Sequence, residues 1–125
     1  MKTINLGIFI LLVASALNAQ DSINWIKVTD HAGWQPRDSQ GELVYKNRLW
    51  IFGGWFSSWQ PSPRDVWNSA DPKDWNLVKK EAGWKHSDLS MTVVFKDKMW
   101  ILGGIENYYF GNEKSLKNDV WYSSD

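Results

Sequence analysis

The stretch LWIFGG at residues 49–54 returns 50 residues later as MWILGG at residues 99–104. The match reaches back to Trp25: residues 25–54 align with residues 75–104 without a gap, and 12 of these 30 aligned positions are identical. After the double glycine the offset grows by four residues, because DVW at residues 65–67 returns as DVW at residues 119–121. A unit of about 50 aromatic-rich residues that ends in a double glycine predicts an all-β fold of repeated sheets.

Within one unit, alternating apolar residues and turn-forming residues predict four antiparallel strands. The first two are predicted at residues 41–46 and 48–52, joined by a tight turn at Lys46-Asn47, because asparagine tolerates the left-handed backbone conformation of such turns. The third and fourth are predicted at residues 65–69 and 75–79. The double glycine is predicted to end the second strand. Four strands per 50 residues is the composition of one β-propeller blade, and almost no helix is expected.

The sequence NRLWIFGG at residues 47–54, followed by DVW, resembles the kelch repeat of secreted bacterial kelch and galactose-oxidase-like propellers. The second copy, DKMWILGG followed by NDVWY, resembles it as well. The resemblance covers roughly residues 23–125 and implies kelch-type β-propeller blades of four antiparallel strands. It assigns residues 20–79 to a first blade with its lead-in and residues 80–125 to a second. Kelch repeats often carry arginine before the first strand; Arg37 fits, but Ser87 occupies the second position, so contacts of this arginine are not expected to recur.

Both ends of the sequence carry further expectations. A positive Lys2, an apolar run at residues 6–13 and small residues after it predict a signal peptide over residues 1–19, and hence a secreted or periplasmic protein. That run is too short to span a bilayer as a helix. The sequence stops at the counterpart of the link that precedes the fourth strand. An incomplete propeller is therefore expected, with a second blade lacking its last strand and the remaining blades missing from this chain.

Composition excludes several function classes. The chain has 14 basic and 14 acidic residues, and no basic cluster suggests a nucleic-acid partner. It has no cysteine, which rules out disulfides and cysteine-ligated metals within it. His31 and His86 lack partners at metal-ligand or catalytic spacing. We therefore predict no catalytic residue, no metal and no cofactor.

Eight of the ten tryptophans recur in pairs, namely Trp25/Trp75, Trp34/Trp84, Trp50/Trp100 and Trp67/Trp121. A residue used once per unit is most simply a packing residue between neighbouring sheets, and a buried indole removes a large apolar area from water. The residues predicted to be structural repeat positions are Trp50, Gly53, Gly54, Trp67, Trp100, Gly103, Gly104 and Trp121.

Other aromatic residues fall outside the repeat, in the loop between the second and third strands of each unit. In an up-and-down sheet this loop shares an end with the connection between units, and such loops commonly carry binding residues. Aromatic rings beside polar groups suit a sugar or protein ligand. The alternative is that these rings fold back over the end of the sheet. The candidate ligand-binding residues are Trp55, Phe56, Trp59, Tyr108, Tyr109 and Arg37; Phe110 lies beside them, and Asp38, His86 and Asp88 are expected at the same end.

Three functions are compatible with these patterns. The first is a non-catalytic binding or interaction module for glycan or protein ligands. The second is a portion of a carbohydrate-active propeller enzyme similar to a sialic-acid mutarotase or to galactose oxidase, although the cysteine-linked tyrosine beside copper in that oxidase cannot come from this stretch. The third is a structural segment of a larger surface protein. We expect the first.

Overall fold

The computed structural model describes residues 23–85, Asp88, residues 91–106 and residues 113–125. Within these ranges the chain is all-β, as predicted, with two antiparallel sheets that do not close into a barrel. No helix in the described ranges has the length and apolar character needed to cross a membrane. The strands are β1 (Gly41–Tyr45), β2 (Arg48–Phe52), β3 (Val66–Asp71), β4 (Asp74–Lys79), β5 (Met91–Val94), β6 (Met99–Ile105) and β7 (Leu116–Ser123), with a single 3-10 turn at Glu113–Ser115 before β7.

The first sheet has the strand order β1-β2-β3-β4, and the second has the order β5-β6-β7. The four strands predicted for the first unit are confirmed, with ends within two residues of the predicted ones. The predicted tight turn is confirmed, with φ of 47° at Lys46 and 55° at Asn47, and its counterpart in the second unit has φ of 48° at Lys96 and 53° at Asp97. Two consecutive residues with positive φ match the right-handed twist of a hairpin, which explains why both units place the same turn here.

The double glycine behaves differently in the two units. In the first sheet β2 ends at Phe52, before Gly53, as predicted. In the second sheet β6 continues to Ile105, and its register against β7 shifts between Leu102 and Gly104. The prediction that the glycines end the strand is therefore wrong for the second unit. Two successive glycines with positive φ form a bulge there, after which β6 resumes pairing with β7.

The hydrophobic core lies between the two sheets. Its buried members come from both units: Tyr45, Trp50, Phe52, Ala82, Trp84, Met99 and Ile101. Burying one such side chain contributes about 1.5–3 kcal/mol. Hydrogen bonds join the sheets at one end of this core, because the Tyr45 hydroxyl donates to the main-chain oxygens of Asp97 (2.8 Å) and Ser124 (3.2 Å). The Thr92 hydroxyl likewise donates to the main-chain oxygen of Glu42, at 2.9 Å.

Two of the tryptophan pairs make equivalent hydrogen bonds in the two units. Trp50 Nε1 donates to the Tyr45 carbonyl at 3.1 Å, and Trp100 Nε1 donates to the Phe95 carbonyl, five residues before it in the same way, at 2.8 Å. Trp67 belongs to β3 and its counterpart to β7. The repeat in sequence is therefore a repeat in local structure.

Trp25 departs furthest from the packing role predicted for the paired tryptophans. It was expected to pack between sheets, but it is 92% exposed and lies in an irregular segment. Its counterpart Trp75 is on β4, paired with β3, and packs edge-on against Trp34 with ring centroids 4.3 Å apart. No strand in the described ranges pairs with the segment that contains Trp25, so the prediction is wrong for this residue.

Candidate functional site

The loop of residues 53–65 leaves the first sheet at its double glycine, and its base is tightly packed. Gly54 has φ of 105°, and a Cβ atom there would lie 2.7 Å from the main-chain oxygen of Asp38 and 2.9 Å from Cδ of Arg37. Only glycine allows both this backbone conformation and this close approach. The Gly53 amide donates to the Asp65 carbonyl at 3.0 Å, which closes the two ends of the loop against each other.

The connection that precedes β1 lies against the start of this loop. The main chains of Asp38 and Trp55 exchange two hydrogen bonds of 2.8 Å. In the second unit Asp88 and Ile105 form the equivalent bridge, with distances of 3.0 and 3.2 Å. The prediction that this connection and this loop share one end of the sheet is therefore confirmed. The repeated aspartates also take part in a repeated structural contact, made through their main chains.

The three candidate aromatic residues of the loop differ in exposure. Trp55 and Phe56 are half-buried, whereas Trp59 is 88% exposed. The Trp59 amide donates to Oγ of Ser57 at 3.1 Å, so a local turn presents this indole. The alternative in which all these rings fold over the end of the sheet does not describe Trp59.

Arg37 lies at the base of the loop. Its Nη1 donates to Asp65 Oδ1 (2.5 Å) and to the Gly53 carbonyl (2.8 Å), Nη2 donates to Asp65 Oδ2 (3.0 Å), and Nε donates to the Gln35 carbonyl (3.0 Å). The side chain is only 2% exposed. A guanidinium used in this way fixes the connection to the loop base, which makes Arg37 a positioning residue in this geometry.

Asp65 completes this arrangement and was not singled out from the sequence as a site residue. Besides the arginine, its carboxylate accepts a hydrogen bond from Trp67 Nε1 at 2.7 Å. Asp119 accepts the same bond from Trp121 Nε1 at 2.6 Å, but the residue aligned with Arg37 is Ser87. The DVW repeat signalled the aspartate–tryptophan contact, whereas nothing in the spacing indicated the ion pair across 28 residues.

Two buried polar atoms at this end have no hydrogen-bond partner within the described part of the chain. They are Oε1 of Gln40, whose Cβ lies against Gly54, and Oγ of Ser62 within the loop. Ser62 is 8% exposed. Buried polar atoms usually have partners, so these two could take a water molecule or a ligand group. No sequence signal distinguishes these two residues from the exposed serines and glutamines of the chain.

The remaining candidates fall outside the described residues: Tyr108, Tyr109, Phe110 and His86. The predicted signal peptide at residues 1–19 does so as well. Within the described ranges, no group of three or more histidine, aspartate or glutamate side chains has an arrangement that could hold a metal ion.

A separate cavity of about 380 Å³ lies between the two sheets. Core residues from both sheets line it, among them Trp50, Phe52, Trp84, Met99 and Ile101. No residue of the 53–65 loop contributes to the wall of this cavity. The cavity is therefore part of the hydrophobic core between the sheets and is separate from the candidate binding loop.

No protein-family model matches the chain, and no curated protein matches it either.

Proposed function

We propose that this chain is a secreted kelch-type β-propeller module that binds a glycan or protein ligand, without catalysis, through the loop end of its first sheet. Support for the kelch assignment comes from the strand-turn-strand motif with its double glycine, and from the recurring hydrogen bonds of the paired tryptophans. Support for export comes from the charged, apolar and small-residue pattern of residues 1–19.

The observation that carries the binding proposal is an exposed indole on a rigid base. Trp59 is 88% exposed, yet its loop is anchored at both ends by hydrogen bonds and by the buried Arg37–Asp65 ion pair. Tryptophan is enriched among interaction hot spots, and its side chain has only two χ angles, so a ligand that covers it orders few torsions.

The surroundings of Trp59 suit a ligand with both apolar and polar faces. Its indole can stack on the apolar face of a sugar ring or enter a shallow pocket on a protein. Trp55 and Phe56 belong to the same loop and are half-buried, and the exposed Asp38 bridges Trp55 at the loop base. The partnerless atoms of Gln40 and Ser62 add hydrogen-bonding capacity near the loop base.

A ligand screen with matched variants tests the proposal. The full-length protein is applied to a glycan array, and proteins of the native extracellular medium are screened in parallel by affinity capture. Trp59→Ala should weaken binding to the recovered ligand by about tenfold or more, since truncating an aromatic hot spot typically costs 1.4 kcal/mol or more. Trp59→Phe, which keeps a ring, should retain an intermediate affinity.

Phe95→Ala provides the matched control. Phe95 is 57% exposed and aromatic, but it lies beside the Lys96–Asp97 turn at the opposite end of a sheet. Its substitution should leave the affinity unchanged. Equal affinity of the native protein and Trp59→Ala for every recovered ligand would refute the assignment of the loop end as the binding surface.

A further inference from the structure

The second sheet has an apolar face that points away from the first sheet. Directly paired residues of neighbouring strands lie on the same side of a sheet. In one row Met91 pairs with Leu102 and Leu102 with Val120, and in the next row Val93 pairs with Trp100 and Trp100 with Tyr122. This side of the second sheet therefore carries six residues: Met91, Val93, Trp100, Leu102, Val120 and Tyr122. We call this set the open face. Five of its members are 41–69% exposed: Met91, Val93, Leu102, Val120 and Tyr122. A contiguous apolar surface of this kind marks an interaction site.

The equivalent face of the first sheet is covered. Its members are Gly41, Leu43, Trp50, Phe52, Val66 and Asn68, which share the same pairwise register. Trp50 and Phe52 are each only 6% exposed, because the second sheet packs on them. Within the chain, this type of face is therefore covered by the next sheet of the repeat.

The side of the second sheet that packs on the first sheet has an equivalent on the outward side of the first sheet. Met99 and Ile101, at 4% and 7% exposure, contact the first sheet from β6. Their counterparts on β2 are Leu49 and Ile51, on the outward side of the first sheet. Leu49 is 37% exposed there and Ile51 half-buried. Among the described residues, each chain therefore has one uncovered copy of both halves of its internal interface.

The outer edge of β7 and the exposed segment of residues 25–28 correspond to a pair of neighbouring strands in the first sheet, β3 and β4. Within the described residues no strand pairs with the outer edge of β7, the position that β4 takes beside β3. Residues 25–28 are the sequence counterpart of residues 75–78 in β4, yet Trp25 and Ile26 are 92% and 83% exposed. An unpaired edge and an exposed apolar segment of strand-forming residues favour strand addition.

We propose that a second copy of this chain docks on the open face with the outward side of its first sheet, and adds its residues 25–28 as a fourth strand along β7. The contact is heterologous, since different surfaces of the two copies meet, and it repeats the internal interface from chain to chain. Such a contact closes into a ring or continues as a filament. The β3–β4 register, in which Asn68 pairs with Asn76, predicts that Tyr122 of one copy lies opposite Ile26 of the next.

Engineered disulfides test this register directly, because the chain contains no cysteine of its own. Directly paired residues of antiparallel strands lie about 4.5–5.5 Å apart at their Cα atoms, within the range that a disulfide spans. The double variant Ile26→Cys with Tyr122→Cys is oxidised with oxidised glutathione at native-like conditions. We expect linked species of three or more copies on a non-reducing gel, which collapse to single chains on reduction.

Three controls define the outcome. Ile26→Cys with Trp59→Cys, a pair of equally exposed positions, should give no ladder. Tyr122→Cys alone should give no dimer; an efficient dimer would mean that two open faces meet each other and would overturn the head-to-tail geometry. A double variant that stays single-chain, or a native protein that is monomeric by light scattering at every concentration, would also overturn the proposal.

A disrupting variant gives a second measurement. Val120→Asp puts a carboxylate in the middle of the open face and should weaken self-association by about tenfold or more, since a valine side chain no longer transfers from water to an apolar contact. Trp59→Asp, an equally drastic change on the loop, should leave association unchanged. Circular dichroism reports whether either variant unfolds, and the disulfide result stands independently if one does.

Discussion

Replacing Asp65 by asparagine removes the negative charge from the most buried ion pair of the described chain. The side chain of Arg37 is 2% exposed and that of Asp65 15% exposed, and two hydrogen bonds of 2.5 and 3.0 Å join them. In Asp65→Asn the amide oxygen can still accept one hydrogen bond. The guanidinium of Arg37, however, stays buried without a counter-charge. The NH2 group of the new asparagine is itself a donor and would face N–H donors of Arg37.

The cost follows from the geometry of this pair. Removing one partner of a buried ion pair typically destabilises a protein by about 3–5 kcal/mol. The carbonyls of Gly53 and Gln35 still accept hydrogen bonds from Arg37, and Asp65 keeps some solvent contact, so we expect about 2–3 kcal/mol. Asp119→Asn is the matched control. Asp119 accepts the equivalent hydrogen bond from Trp121, but it is exposed, and its unit has Ser87 at the position of Arg37.

Urea unfolding followed by tryptophan fluorescence measures the difference. With a urea dependence of about 1–3 kcal/mol per molar, a loss of about 2–3 kcal/mol in Asp65→Asn should lower the midpoint by roughly 0.7–3 M. Asp119→Asn should change the free energy of unfolding by about 0.5 kcal/mol or less, as surface substitutions usually do. All proteins are compared at one chain concentration, because association contributes to the apparent stability. Equal midpoint shifts for the two variants would refute the reasoning that the buried arginine makes Asp65 special.

Two further substitutions probe the packing between elements by the same urea assay. Gly33→Ala should destabilise the chain by about 1–3 kcal/mol, because its Cβ would lie 2.7 Å from Cζ3 of Trp67, whereas Gly83→Ala places its Cβ at an ordinary 3.6 Å from the equivalent indole and should be tolerated. A larger loss for Gly83→Ala would contradict this. Tyr45→Phe should cost about 1 kcal/mol, since it deletes the hydroxyl that donates to the second sheet, and an unchanged midpoint would show that these hydrogen bonds contribute nothing.

Local chemistry made the strands and turns of this chain predictable. The residues around Lys46-Asn47 and Lys96-Asp97 adopt positive φ because the flanking strands demand a tightly twisted turn and asparagine and aspartate accept it. Alternating apolar residues then fix which side of each strand faces the core. The same reasoning placed Trp55 and Asp38 at one end of the sheet, because strand order decides which loops share an end; that they pair directly was not predicted.

Long-range contacts were not predictable in the same way. Nothing near Arg37 in sequence indicates that Asp65 neutralises it, or that this arginine supports the loop from within. The bulge at Gly103 depends on β7 resuming its pairing beyond the glycines. Trp25 repeats Trp75 in sequence, but no strand among the residues that the structure describes lies beside it, so the packing role that the repeat predicted is not found there.

Identical chemistry in the two units produces different burial, and the difference identifies what is local and what is not. Trp50 and Trp100 each donate to the carbonyl of the residue five positions earlier, Tyr45 and Phe95 respectively, so the hairpin sets the position of each indole. Trp50 is 6% exposed because the second sheet covers its face, while Trp100 is only half-buried because no described residue covers the corresponding face. A repeat therefore specifies the shape of each sheet, and the next sheet along supplies most of the hydrophobic stabilisation. By this logic the open face is the position in the described chain with the most stabilisation still to gain.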